Sequence, residues 1–215
     1  MKRKITTIGL GLCALTSSIQ AQDNNVILDY DQVSFGYGYT DNALGLLGNG
    51  HGIGLGVSHE INRFVVSLSN SESWIDNSDL LNGTDLMLWN INLNTGYVTE
   101  LTDTVHLVPS IGIGYGQLDG LGLPGSSKLG STWTFNTSLT LNYSPAESWA
   151  LSWGLLYSDP FNTDSDVGQV ELQSGLGITF GATFQISDNT GMNLSAVFSD
   201  DNGYAGMGVA LEYHY

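Results

Sequence analysis

The 215-residue chain sets 21 acidic residues against five lysines and arginines, and a formal net charge of −16 excludes the attraction on which nucleic-acid binding depends. A single cysteine excludes a disulfide framework. After the first segment no run of about 18 apolar residues could cross a membrane as a helix, so a membrane-resident chain would have to cross as closed β-structure.

That first segment, MKRKITTIGLGLCALTSSIQA, joins a basic start (Lys2, Arg3, Lys4) to an apolar stretch, Ile8 to Leu15, too short to span a bilayer. It reads as a secretory signal covering residues 1–21, cleaved between Ala21 and Gln22, with one domain over 22–215. Cys13 would leave with it, and Arg63 and Lys128 would then face all 21 acids.

The rest of the chain repeats one pattern. Gln22 to Leu28 reads as a short lead-in. A first strand, near Tyr30 to Thr40, sets Val33, Phe35, Tyr37 and Tyr39 against Ser34, Gly36 and Gly38. A period of two places these sets on opposite faces of a strand. Residues 41–50 are glycine-rich and read as a loop. The second strand sets Ile53, Leu55 and Val57 against glycines, and Asn62-Arg63 makes a tight turn. The third begins at Phe64, fades after Asn70 and yields to a polar loop over 75–85. The fourth sets Trp89, Ile91, Leu93 and Tyr97 against Asn90, Asn92 and Asn94, before a turn at 100–104. The fifth runs from Val105 to Gly116, with Pro109 marking a bulge or bend.

After a loop over 118–130, the sixth strand carries Trp133, Phe135, Leu139, Leu141 and Tyr143. The seventh carries Trp149, Leu151, Trp153, Leu155 and Tyr157, and an acidic loop over 158–168 follows. The eighth runs from Leu172 to Ile186, with Leu176 facing out near mid-membrane and Gly177 facing in. The ninth holds Met192 to Phe198, and Asp200 to Gly203 is a hairpin turn. The tenth strand, AGMGVALEYHY, alternates Met207, Val209, Leu211, Tyr213 and Tyr215 with Gly206, Gly208, Ala210, Glu212 and His214.

Short connections alternate with long ones, and aromatic residues collect at both strand ends. This is the rhythm of an all-β, closed antiparallel up-and-down transmembrane barrel of ten strands, with eight as the runner-up. A secreted β-sandwich is the soluble alternative, but its solvent face would carry Lys, Glu and Arg. The polar face here is Gly, Ser, Thr and Asn, which suit a narrow interior.

The search for chemistry yields no catalytic set, and the chain reads as no enzyme. His51 with Asp164, Asp166, Asp200 and Asp201 lacks the spacing of a proton-transfer site. His106, His214, Glu60 and Glu212 converge on the periplasmic mouth, where a hydrated polar rim accounts for them better than a metal. Asp164-Ser165-Asp166 resembles part of a calcium loop but lacks the closing glutamate. No cofactor or metal is expected. Glu60, Glu171 and Glu212 have inward parity and are expected to acidify the lumen.

With its alternating Tyr30–Tyr39 opening, GIGLGVS, SIGIGYG and an aromatic end, the mature chain resembles the small outer-membrane β-barrel (porin-like) proteins of Gram-negative bacteria. The resemblance implies residence in the outer membrane among lipid and lipopolysaccharide. It also implies insertion by the barrel-assembly machinery, with Met207, Val209, Leu211, Tyr213 and Tyr215 as the assembly signal. The expected function is a narrow passive pore with cation preference, in a monomer. The alternative is a structural or surface-interaction barrel whose acidic loops bind divalent cations, lipopolysaccharide or a partner.

Overall fold

A computed structural model of the chain describes residues 3–6, 28–41, 49–78, 84–120, 128–165, 170–199 and 205–215. Ten strands form the barrel: β1 (Gln32–Asp41), β2 (Gly50–Ile61), β3 (Phe64–Ser78), β4 (Thr84–Tyr97), β5 (Val105–Gly120), β6 (Lys128–Ala146), β7 (Trp149–Ser165), β8 (Gly175–Ser187), β9 (Thr190–Ser199) and β10 (Ala205–His214). Each pairs antiparallel with the next, and β10 returns to β1, with Glu212 opposite Ser34 and Met207 opposite Tyr39. The sheet closes on itself, as backbone in lipid requires. Arg3–Thr6 and Val170–Gln173 make a small parallel ribbon apart from this ladder.

The period-two pattern becomes two surfaces. Val33, Phe35, Tyr37 and Tyr39 of β1 are exposed, while Ser34 and Thr40 on its other face are buried. The same holds around the ring, from Leu55 and Leu68 through Ile113, Leu155 and Ile178 to Leu211. An apolar surface this extensive is not tolerated in water and is what hydrocarbon requires. Side chains at the belts reinforce one another across strands: Trp89, Tyr115 and Trp133 form a chain of rings with centroids 5.9 and 5.1 Å apart. Such pairs contribute about 0.5–1.5 kcal/mol each beyond their burial.

The strands differ in length. β1, β9 and β10 have 10 residues each, whereas β6 has 19 and β7 has 17. About 9–11 tilted residues cross a bilayer, so β3 to β7 continue past the belts as a wall on the loop side. This corrects three expectations. β3 does not yield to a loop at residue 75 but reaches Ser78, the acidic stretch after Tyr157 is strand to Ser165, and β5 reaches Gly120. The polar outer faces of Asn70, Glu72 and Asp159 misled the pattern, because above the membrane the outer face need not be apolar. The eighth strand is also shorter than expected. It breaks at Ser174, leaving Leu176 as the second residue of β8, opposite Tyr157. Leu176 faces out and Gly177 in, as expected, but Leu176 sits towards the loop-side rim rather than at mid-membrane. The hairpin turn at Asp200–Gly203 lies outside the described residues.

The turns follow from residue chemistry. Asn62 and Arg63 have φ of 53° and 69°, the doubly positive conformation whose twist suits a two-residue hairpin. At Pro109 there is no bulge, and its register with Leu139 of β6 is unbroken. Instead β4 is interrupted beside it at Val98 before resuming over Thr99–Thr102, where a nitrogen without hydrogen cannot serve the ladder.

Candidate functional site: the lumen and its periplasmic mouth

The inner face is built from small polar residues. Ser67, Ser69, Ser71 and Ser73 form a hydroxyl column on β3, opposite Ser58 and the glycines of β2. Asn90, Asn92 and Asn94 follow on β4, opposite Gly116, Gly114 and Gly112 of β5. These glycines are shelves for the amides. A Cβ at Gly114 would collide with Asn92 Oδ1 and lie 2.7 Å from Thr134 Oγ1, and one at Gly116 would lie 2.7 Å from Asn90 Oδ1. Next along the wall, Asn136 Nδ2 donates to Asn92 Oδ1 at 3.5 Å, and Ser158 Oγ donates to Asn136 Oδ1 at 2.8 Å. Ser110 and Ser138 share a hydroxyl hydrogen bond of 2.6 Å. The result is an amide and hydroxyl wall over β4 to β7.

Gly112 is the tightest shelf. An added Cβ there overlaps Asn94 Oδ1 and lies 2.6 Å from the backbone oxygen of Leu93, which cannot swing aside. Gly112→Ala is therefore expected to destabilise the barrel by about 1–3 kcal/mol. Gly38→Ala, whose nearest obstacle is Met207 O at 3.6 Å, is expected to be near neutral. Urea titration in lipid vesicles compares the two.

The periplasmic mouth is different, and the sequence reading missed its main feature. The lead-in does not merely approach the barrel. Leu28 and Tyr30 are buried in its mouth, at 2% and 0% exposure. Tyr30 packs with Val65, Val98 and Val108, three apolar residues at inward positions, while Leu28 packs with Ala150. The segment is pinned by polar contacts. Ser58 Oγ donates to Tyr30 O at 2.7 Å, and Glu60 N donates to Asp31 Oδ1 at 2.8 Å. His59 Nδ1 lies 2.8 Å from the same oxygen, and Tyr215 N donates to Asp31 O at 3.1 Å.

Around this plug stands a titratable collar of Asp29, Asp31, Glu60, Glu212, His106 and His214. Burial pushes the Asp29 carboxyl above its ordinary value, a shift partly offset by the Asp31 backbone N–H and by His214. Glu212 is 1% exposed, and Glu212 Oε2 and His214 Nε2 both lie 3.6 Å from where a Gly191 Cβ would be. Among the described residues no three His, Cys, Asp or Glu side chains are arranged to hold a metal. Two of the three acids with inward parity, Glu60 and Glu212, lie at the periplasmic end of the inner face, on β2 and β10. Glu171 belongs to the ribbon with Arg3–Thr6, and its side chain lies outside the described residues. Between the aromatic belts, the described inner face carries charge only at its periplasmic end.

His51 faces outward, within a stack between Tyr37 and Trp74 at centroid distances of 6.4 and 5.7 Å. The suspected Asp164 is on β7, 3.6 Å from Lys128 Nζ. The two form no common site. Met207, Val209, Leu211, Tyr213 and Tyr215 are all exposed in one outer row.

No protein-family model matches the chain, and no curated protein matches it by sequence. Among solved structures, the NanC porin aligns with a TM-score of 0.50 at 9% identity, over 85% of this chain and 100% of that one. The KdgM porin aligns at 0.45 and 10% identity, over 86% and 99%. Neisserial surface protein A aligns at 0.46 and 10% identity, over 86% and 95%. The fold is that of the small outer-membrane β-barrels.

Proposed function

We propose that this outer-membrane-type barrel resides in the bacterial outer membrane and acts as a narrow pore with cation preference, closed at rest by its own N-terminal segment. The observation that carries this reading is the pairing of a polar, small-residue lumen with a mouth plugged by Leu28 and Tyr30 inside an acidic collar. An ion passing the mouth must pass Asp29, Asp31, Glu60 and Glu212, and carboxylate rings concentrate cations and repel anions. In planar bilayers under a salt gradient, the full chain is expected to show small, intermittent conductance with a cation-selective reversal potential. Selectivity should be stronger at low salt, where screening is weaker. An anion-selective potential overturns the collar argument. Purified protein should also shift its gel mobility on boiling, as folded barrels do.

Acid is expected to close the pore further. Asp29 binds its proton more tightly in the seated plug than in a released one, because burial raises its folded value. By linkage, protonation stabilises the seated state as pH falls through the carboxylate range, and deprotonation favours release. Of the groups facing it, the neighbouring Asp31 carboxylate acts in the same direction. Open probability at pH 7 should exceed that at pH 5, and a rise on acidification contradicts this sign.

One feature favours a second reading. The wall of β3 to β7 beyond the belts exposes Asp76, Asp85, Asp159 and Asp164, which suits divalent-cation contact with lipopolysaccharide or a partner. A barrel that stays silent in bilayers after its plug is loosened would favour this surface role. The barrel-assembly machinery remains the proposed reader of the exposed β10 row.

A further inference from the structure

The middle of the lumen is organised as no simple sieve needs to be. Three asparagines on β4 and one on β6 line one side, seated on glycine shelves and linked to serine and threonine hydroxyls. Asn92, Asn94, Asn136, Ser138 and Thr140 are part-exposed to the lumen, whereas the residues at the mouth are buried. In a ring of ten strands, β4 to β6 face β9, β10 and β1. That opposite side includes Ser195, Val197, Gly206, Gly208, Gly36 and Gly38, so mostly small residues stand across from the amides. At the loop-side end of the same wall, Asn90 Nδ2, Ser71 Oγ and Ser73 Oγ are buried and have no hydrogen-bond partner among the described residues. Asn90 and Ser71 are direct cross-strand neighbours.

We propose that this amide wall is a binding site for a small neutral polyhydroxylated solute, a sugar alcohol or monosaccharide. Each amide offers both donors and an acceptor, and each hydroxyl does the same, which matches the groups that a polyol presents. Among the described residues the space carries no charge of either sign, so an ion there would lose hydration without gaining a countercharge. No described aromatic side chain faces the lumen between the belts to stack a sugar ring, so recognition rests on hydrogen bonds alone. This deepens the pore reading and rests on it for access to the lumen. Ions are then a minor leak, selected at the mouth, while the middle selects uncharged hydroxylated molecules.

The test follows the asparagine side-chain amides of the full chain in detergent micelles by NMR, with sorbitol as the neutral probe and gluconate as its same-length anion. Sorbitol is expected to shift the Asn92, Asn94 and Asn136 amides saturably, with gluconate weaker by about tenfold or more. Asn92→Leu should abolish the shift at Asn136 while preserving the boiling-sensitive gel mobility. Should that variant fail to fold, Asn136→Ala, read at Asn92, replaces it. Absence of a saturable sorbitol shift, or an equal response to gluconate, overturns the site. So does unchanged binding in the folded variants. A chain that conducts ions in bilayers but binds no sorbitol overturns the site and leaves the pore standing. A chain that binds sorbitol yet never conducts overturns the pore and supports the site.

Discussion

Tyr30→Ala is expected to raise the open probability of the barrel by about a hundredfold or more without unfolding it. The ring fills a pocket of Val65, Val98 and Val108 and is wholly buried. Removing a buried aromatic costs about 3–5 kcal/mol, and each 1.4 kcal/mol is tenfold in an equilibrium. That loss falls on the seated plug and not on the barrel, whose ladder is complete without residues 28–31. Bilayer recordings should show longer openings at unchanged selectivity, because Glu60 and Glu212 stay in place. Tyr30→Phe keeps the ring and should behave like the parent chain. A Tyr30→Ala barrel that remains as closed as the parent would show that the plug is not the gate.

Phe180→Arg is expected to cost about 2–4 kcal/mol, the penalty for a cation near the bilayer midplane. Phe180 is at the centre of β8, faces outward between Trp153 and Ala196, and packs edge-on to Phe198 at 6.0 Å. Leu176→Arg, four residues nearer the rim and opposite Tyr157, should cost about 0–1 kcal/mol because the guanidinium reaches the interface. Asn92→Arg should cost less than Phe180→Arg, since lumen hydroxyls and Asn136 can take its hydrogen bonds. Reversible unfolding in vesicles measures all three. Equal costs for Phe180 and Asn92 would overturn the assignment of faces.

The transmembrane part of this architecture is legible because the bilayer imposes a contrast on every second residue. Rows such as Val33–Tyr39 and Ile178–Phe184 have no other economical explanation. Legibility ends where the bilayer does. On β3 and β7 the backbone ladder continues, but Asn70, Glu72, Asp159 and Asn162 on the outer face blur the alternation. The plug was missed for another reason. Tyr30 enters the pattern only as the start of the first strand, although Val33 sets the outward positions as odd and Tyr30 is even. A large ring on the small-residue face was the available sign. Val65, Val98 and Val108 repeat it, being apolar residues at inward positions near one end of the barrel. The amide network was visible only as separate asparagines, since the β4–β6 registers that bring Asn92 to Asn136 are not encoded in local pattern.

The seam between β1 and β10 gives the barrel a temporal order. It joins the two most distant parts of the ladder, and the strands between must be in place before it can form. Loop-closure entropy makes such distant pairings slow to form. The plug is contiguous with β1, and its Asp31 carbonyl receives the N–H of Tyr215, the last residue of the chain. Tyr215 also reaches across with its hydroxyl to Ser58 O at 3.2 Å. The seated plug therefore reinforces a seam that the ladder of β1 and β10 already closes, and full seating waits for that closure. Until then the nascent barrel is an open sheet with an unsealed mouth, and the final tyrosine acts as its latch.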